Sequence, residues 1–236
     1  MAEHRSIHPR SLFQAWRRQP LIPVLVLVLL GALGGFLEVA SEVREKETRP
    51  FDESLLLAVR EPGDLADPIG PPWVEEMARD LTALGGFTLL TLVTLTSFGV
   101  ALLAGRQRLA WLGLASVVAG TFLTGVLKSS YNRPRPELVE HSVRVVSSSF
   151  PSGHSTMAAV VYLTLGILLA RTQKHHSMRV FTISVAVLMT VLVGCSRVYL
   201  GVHWPTDVVA GWFLGSAWAV LFWLIAIKVD PRPPPA

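Results

Sequence analysis

The strongest constraint on this chain is a series of long apolar stretches containing no Asp, Glu, Lys or Arg, at 19–37, 81–105, 109–127, 155–170, 180–196 and 208–227. A helix needs roughly 20 mostly apolar residues to cross a bilayer. The stretch at 155–170 reaches that length if Ser152 to His154 form its first turn, and the last stretch opens on Asp207. With only 236 residues, the chain is too small to bury six such helices inside protein. The expected fold is therefore an all-α integral membrane protein, a single membrane-embedded domain over residues 1–236. Its six transmembrane helices fall at about 19–37, 81–105, 109–127, 153–170, 180–196 and 207–227. A lone cysteine, Cys195, excludes an intrachain disulfide and a Cys-based zinc site. Lys and Arg number 21 against 17 Asp and Glu, but the cations form no continuous patch, so their placement points to a membrane rather than to nucleic acid.

Charge sets the expected orientation. With the N-terminus inside, the short inner loops carry Arg106 and Arg108, then Arg171, Lys174 and Arg179, and the inner ends add Arg17, Arg18 and Lys228. Both termini are thus expected inside and the 41–80 segment outside. Val39-Ala40-Ser41 resembles a leader cleavage site, yet the run before it is longer than a secretory core and Glu38 interrupts the region, so the first span reads as an anchor. Between spans one and two, Phe51, Leu55 and Val59 recur at helical spacing, as do Trp73, Met77 and Leu81, with Pro62-Gly63, Pro68 and Pro71-Pro72 between them. This pattern predicts two short amphipathic helices that rest on lipid headgroups or wall a site entrance. Gly31 and Gly35, like Gly211 and Gly215, have the four-residue spacing of close helix contacts. The Pro-rich end from Pro231 reads as a disordered tail.

Alternating the spans gathers the polar chemistry on one side. Lys128 ends the third span and Arg133-Pro134-Arg135-Pro136 follows it. Pro151-Ser152-Gly153-His154 opens the fourth, Ser196-Arg197 closes the fifth, and His203-Trp204-Pro205-Thr206-Asp207 leads into the sixth. Lys128, Arg135 and Arg197 offer fixed positive charge and many donors, suited to phosphoryl oxygens. Ser152 and Gly153 stand at a helix start, where free N–H groups favour an anion. His203 and Asp207, four apart around Pro205, could pair so that the carboxylate fixes the ring tautomer and frees the other nitrogen to attack. His154 could protonate a leaving oxygen. Taken singly, these residues read as snorkelling cations, an interfacial His and a helix cap. It is their joint spacing and sidedness that indicate a site.

The sequence resembles the type-2 phosphatidic acid phosphatase family, membrane relatives of the vanadium haloperoxidases. Three family motifs carry the likeness: Lys, six residues, Arg-Pro (Lys128, Arg135, Pro136); Pro-Ser-Gly-His (Pro151 to His154); and Ser-Arg, five residues, His, three residues, Asp (Ser196, Arg197, His203, Asp207). In layout the chain is most similar to bacterial phosphatidylglycerophosphate and undecaprenyl diphosphate phosphatases. The resemblance implies a hydrolase of lipid phosphate monoesters or diphosphates in the inner membrane, with its site on the outer face. His203 would become a phosphohistidine, Asp207 would orient it, and His154 would serve as acid and then base. Lys128, Arg135, Arg197 and the Ser152–Gly153 amides would hold the phosphoryl oxygens. Undecaprenyl diphosphate, phosphatidylglycerophosphate, phosphatidic acid and a lipid A phosphate are all candidate substrates. A phosphotransferase using the same residues and a phospholipid-binding transporter or scaffold are the competing readings.

The remaining polar residues carry less. Arg133 reads as a loop cation or a grip on a second phosphate; Glu137, Glu140 and His141 as solvated loop residues; His175 and His176 as a solvated turn. Trp204 reads as an interface aromatic and Cys195 as a small packing residue. No cofactor or metal is expected, because the cations supply the charge that Mg²⁺ would otherwise bring. Phosphate release should accordingly persist in EDTA; loss of turnover that Mg²⁺ restores would overturn that expectation.

Overall fold

The computed structural model describes residues 21–136 and 148–231, so the expectations for the Pro-rich tail and for Glu137, Glu140 and His141 lie outside the described residues. The described residues form eight helices: α1 (Leu21–Glu45), α2 (Arg49–Leu57), α3 (Pro72–Ala83), α4 (Phe87–Leu103), α5 (Gln107–Ser130), α6 (Gly153–Ala170), α7 (His176–Tyr199) and α8 (Pro205–Val229). Between α2 and α3 lies a hairpin of β1 (Arg60–Glu61) and β2 (Asp64–Pro68), which the sequence reading did not anticipate. Arg60 anchors it, donating from Nη2 to the Tyr199 carbonyl at 2.6 Å.

Among the described residues five helices (α1, α5, α6, α7 and α8) are long and apolar enough to cross a bilayer, and there are six if α3 and α4, which meet at a 50° bend, count as one span. Expected and observed spans agree in order and place. Most helices, however, outrun their uncharged stretches: α1 extends to Glu45, since charged residues at a span's end can stay helical in the headgroup layer. Residues 39–41 lie inside that continuous helix.

Core and surface follow the bilayer rather than water. Leu27, Phe122 and Leu103 point away from the protein at 69%, 75% and 92% exposure, as suits side chains solvated by lipid tails. The amphipathic helices are turned the same way. In α2, Phe51 and Leu55 face outward while Asp52 and Leu56 are fully buried; in α3, Trp73 and Met77 face outward and Ala78 is buried. The apolar stripes therefore contact the membrane, and the protein side of α2 carries an acid.

Helix α8 is the central element, packed against α1, α6 and α7 and buried along much of its length. Small residues permit the close approach. A Cβ on Gly211 would stand 3.0 Å from the Ser155 and Thr156 atoms of α6, and one on Gly215 would stand 2.3 Å from the Ala159 Cβ. Gly35 of α1 abuts the Phe213 ring, whereas Gly31 has no neighbour within 4 Å, so only three of the four spaced glycines make contacts, all within one chain. A single π-helical turn, Ala159–Leu163, interrupts α6 where Ala159 meets Gly215. Cys195 lies exposed on α7 rather than in a packed seam, which corrects its reading as a packing residue. At the end of the bundle away from the polar motifs, Arg106 of the α4–α5 turn pairs with Asp230 at 3.1 Å, and Arg171 donates to the Asp230 carbonyl at 2.5 Å.

Replacing Gly215 by Ala should wedge α8 from α6 and cost about 1–3 kcal/mol. Replacing Gly31 by Ala should leave stability unchanged. Thermal unfolding in detergent checks both, and equal melting temperatures for the two variants would contradict the packing described.

Candidate active site

Each polar motif lies at a helix end, and local structure explains how the ends converge. Gly201, in the left-handed region at φ 70°, reverses the chain after α7, and the N–H of Val202 caps back to the Arg197 carbonyl at 3.2 Å. This turn places His203 beside Arg197. Pro205 then starts α8, with Trp204 as its N-cap and Asp207 in the first turn, where the Asp207 Oδ2 accepts from the Trp204 N–H at 3.0 Å. On α6, Ser152 is the N-cap: its side chain accepts from the Ser155 N–H and hydroxyl, at 3.4 and 2.9 Å.

At the centre, His203 and Asp207 are both buried, at 1% and 0% exposure. His203 Nδ1 lies 3.4 Å from Asp207 Oδ2 and 3.3 Å from the Ser149 hydroxyl, which itself donates a short hydrogen bond to Asp207 Oδ2. The other ring nitrogen, Nε2, is 3.1 Å from Arg135 Nη1. Because a guanidinium only donates, this contact requires a lone pair on Nε2 and a proton on Nδ1, the tautomer that the Asp207 carboxylate also favours. Burial pushes the pKa of His203 down to about 4; hydrogen bonding and charge from Asp207 oppose this, while Arg135 and Arg197 reinforce it. Burial likewise lowers the Arg135 guanidinium, with Asp207 opposing.

Around this pair stand the remaining predicted residues. Lys128 donates to the Ser148 carbonyl at 3.0 Å, Arg135 to the Val202 carbonyl at 2.8 Å, and Arg197 to the Thr82 hydroxyl at 2.7 Å. Lys128, Arg135 and Arg197 lie within Coulombic reach of one another, and His154 feels all three as well as His203. Arg197 Nε is buried with no acceptor among the described residues. Of the first-turn N–H groups of α6, those of Ser155 and Thr156 are taken by Ser152, which leaves Gly153 and His154 without intrahelical acceptors. The Ser152 N–H donates instead to the Asp207 carbonyl at 3.0 Å. The Ser152 amide is thus engaged with α8, while the Gly153 amide of the same pair has no intrahelical acceptor.

Two further readings change. Arg133 is neither a free loop cation nor available to a second phosphate: only 13% exposed, it binds Asp207 Oδ1 at 2.6 Å and Asp52 Oδ2 at 2.5 Å. Trp204 is buried rather than interfacial; its ring nitrogen donates to the Pro134 carbonyl at 2.9 Å, and the Arg49 and Arg133 guanidinium groups lie over its ring.

Four contributors escaped the sequence reading. Asp52 sits on α2 one residue from the apolar stripe, and an isolated acid there gives no signal of its own. Ser149 lies in the Ser147-Ser148-Ser149 run, where no hydroxyl stands out. Thr82 and Gly85 come from the elbow between α3 and α4, which Tyr162 ties down by donating to the Leu84 carbonyl at 2.7 Å. A Cβ on Gly85 would fall 2.5 Å from Val193 and 3.3 Å from His154, so the elbow can approach His154 only with glycine there. Below His154 runs a groove of about 470 Å³ between α4 and α5, walled by Leu90, Leu95, Leu114, Val117, Val118 and Met157 among others. Among the described residues, no group of three or more His, Cys, Asp or Glu is placed to hold a metal ion.

The PAP2 superfamily profile matches residues 109–230, which include every predicted site residue. The chain is 36% identical over 198 residues to phosphatidylglycerophosphatase B of Bacillus subtilis, covering 80% of this chain and 89% of the relative. It is 43% identical over 68 residues to undecaprenyl-diphosphatase of Sulfolobus acidocaldarius, 29% of each. The crystal structure of a transmembrane PAP2-type phosphatidylglycerolphosphate phosphatase from Bacillus subtilis superposes with a TM-score of 0.74 at 30% identity, over 86% of this chain and 97% of that one. On sequence and fold alike, this multi-pass membrane protein belongs to the PAP2 superfamily.

Proposed function

We propose that the protein hydrolyses a lipid phosphate monoester or diphosphate at the outer face of the cytoplasmic membrane, through a phosphohistidine on His203. The observation that carries this reading is the convergence of Lys128, Arg135 and Arg197, within Coulombic reach of one another, on a buried His203 that is paired with Asp207. Such a cluster of donors around one imidazole suits the oxygens of a phosphate ester. Arg197 Nε and the Gly153 and His154 amides are donors ready for its oxygens.

In the proposed reaction, His203 Nε2 leaves the Arg135 contact and attacks phosphorus in line. The Nε2–P bond forms as the P–O bond to the lipid breaks, and His154 gives a proton to the departing oxygen. The positive charge gained by the ring is stabilised by Asp207 through Nδ1–H. Water then attacks phosphorus with His154 taking its proton, which releases inorganic phosphate and restores both rings. Lys128, Arg135, Arg197 and Gly153 stabilise the equatorial oxygens throughout.

The groove between α4 and α5 suits a hydrocarbon chain: it starts at Gly153 and His154, and Leu, Val, Phe and Met side chains make up most of its walls, with threonines among them. A substrate lying in the bilayer could thus present its phosphate to His203 with its tail still among lipids. Similarity to phosphatidylglycerophosphatase B makes phosphatidylglycerophosphate the first substrate to try. Sidedness rests on charge, since Arg106, Arg108, Arg171 and Lys174 gather at the opposite end from the site.

The decisive experiment offers phosphatidylglycerophosphate, undecaprenyl diphosphate and phosphatidic acid to detergent-purified protein and identifies both products. His203→Ala should abolish phosphate release while lipid still binds. Unchanged turnover would point to a binding protein, and phosphate recovered on a lipid or sugar hydroxyl to a phosphotransferase. Because its pKa is depressed, His203 stays neutral and nucleophilic down to about pH 4, so the acid limb of kcat/KM should lie near that point, while the proton required on His154 sets a separate alkaline limb. An acid limb near the ordinary histidine value would contradict the buried-ring geometry. Filling the groove with Val118→Trp should lower kcat/KM roughly tenfold or more for long-chain substrates, by displacing buried methylenes. It should spare a short-chain phosphate ester; equal loss on both would remove the groove from substrate binding.

A further inference from the structure

Asp207 uses its two oxygens differently. Oδ2 faces His203 Nδ1, the Ser149 hydroxyl and the Trp204 N–H, whereas Oδ1 is held by Arg133 Nη1 at 2.6 Å. The other arm of the same guanidinium, Nη2, grips Asp52 Oδ2 at 2.5 Å and the Thr48 hydroxyl at 3.0 Å. Asp52 in turn accepts from the Thr206 N–H at 2.9 Å and its hydroxyl at 2.7 Å, and Thr206 also accepts from Arg133 Nη1 at 2.8 Å. Both carboxylates are 0% exposed. These contacts form a closed loop joining α2, the Arg133 segment and the first turn of α8.

We propose that Arg133 and Asp52 are positioning residues for the proposed phosphoryl transfer. Arg133 fixes the rotation of the Asp207 carboxylate so that Oδ2 addresses His203, and Asp52 fixes Arg133. A bidentate guanidinium between two carboxylates is a rigid joint that one ammonium cannot reproduce. Asp52 also shares the Arg133 charge. With the cation divided between two acids, Asp207 keeps enough negative charge to hold the imidazolium that forms as phosphorus is attacked. The charged groups facing this pair from neighbouring elements are Lys128 on α5, Arg135 in the loop, His154 on α6 and Arg197 on α7. None of these touches Asp207 Oδ1, so the loop through Arg133 acts on that oxygen alone. The proposal deepens the phosphohistidine reading and rests on it.

The test compares Arg133→Gln, Arg133→Lys and Asp52→Asn with wild type in kcat, KM, pH profile and melting temperature. Turnover of the wild type and its loss in His203→Ala examine the underlying reading separately. In Arg133→Gln and Asp52→Asn, kcat should fall about 100-fold through misorientation of the ring. KM should stay within about threefold, because the phosphate-holding cations are untouched. The acid limb should move in opposite directions: up by ~1 pH unit in Arg133→Gln, which strips a cation from Asp207, and down in Asp52→Asn, which strips an anion. Arg133→Lys should restore the limb but only part of kcat. A purely structural role predicts lower melting temperatures with unchanged kcat and limb in the folded fraction, and that result overturns the proposal. If Arg133→Gln does not fold, the conservative Arg133→Lys decides: full kcat in the folded protein overturns the relay, and reduced kcat at unchanged KM supports it.

Discussion

Three cations that repel one another are held around a single imidazole, and much of the structure can be understood as the means of keeping them there. Lys128, Arg135 and Arg197 arrive from different elements, and a backbone carbonyl or a hydroxyl steadies each. Such contacts orient a charge without neutralising it. Buried ion pairs brace the bundle behind the site at Arg133 and at its far end at Arg106 and Asp230. Holding like charges together is unfavourable, so the scaffold must be stiff. The densely packed α8, seated on α6 through Gly211 and Gly215, supplies that stiffness.

The segment between the first two spans serves this arrangement from outside. Its helices give their apolar faces to the membrane, which leaves their inner faces free for polar work. From α2, Asp52 reaches the α8 terminus; from the α3–α4 elbow, Thr82 meets Arg197 and Gly85 makes room beside His154. A water-soluble protein would turn those stripes inward. Lipid removes that requirement, because a hydrocarbon chain solvates Phe51 or Trp73 as well as a protein core would.

Sequence reading performed best where the physics is local or one-dimensional. Runs of uncharged residues fixed the spans, since their length and composition are the cause of insertion. Span alternation brought Lys128, Ser152, His154, Arg197 and His203 to one end of the bundle. It performed worst where partners are distant in sequence. Arg133 looked like a spare cation because Asp52 lies 81 residues before it and Asp207 74 residues after it. The helical spacing of Phe51 and Leu55 was visible, but the direction of that face was not, because periodicity does not say which solvent lies on either side. The partner of the Ser152 amide was hidden for a similar reason: a helix start predicts free donors, and only the fold reveals that the Asp207 carbonyl meets one of them.

Entry through the groove between α4 and α5, as proposed, would also set the dimensionality of encounter. A substrate that slides in from the leaflet never passes through bulk water, so its collision frequency follows lateral diffusion and its mole fraction in the membrane. Diluting it with inert lipid or detergent at fixed total amount therefore lowers saturation, even though nothing about the protein has changed.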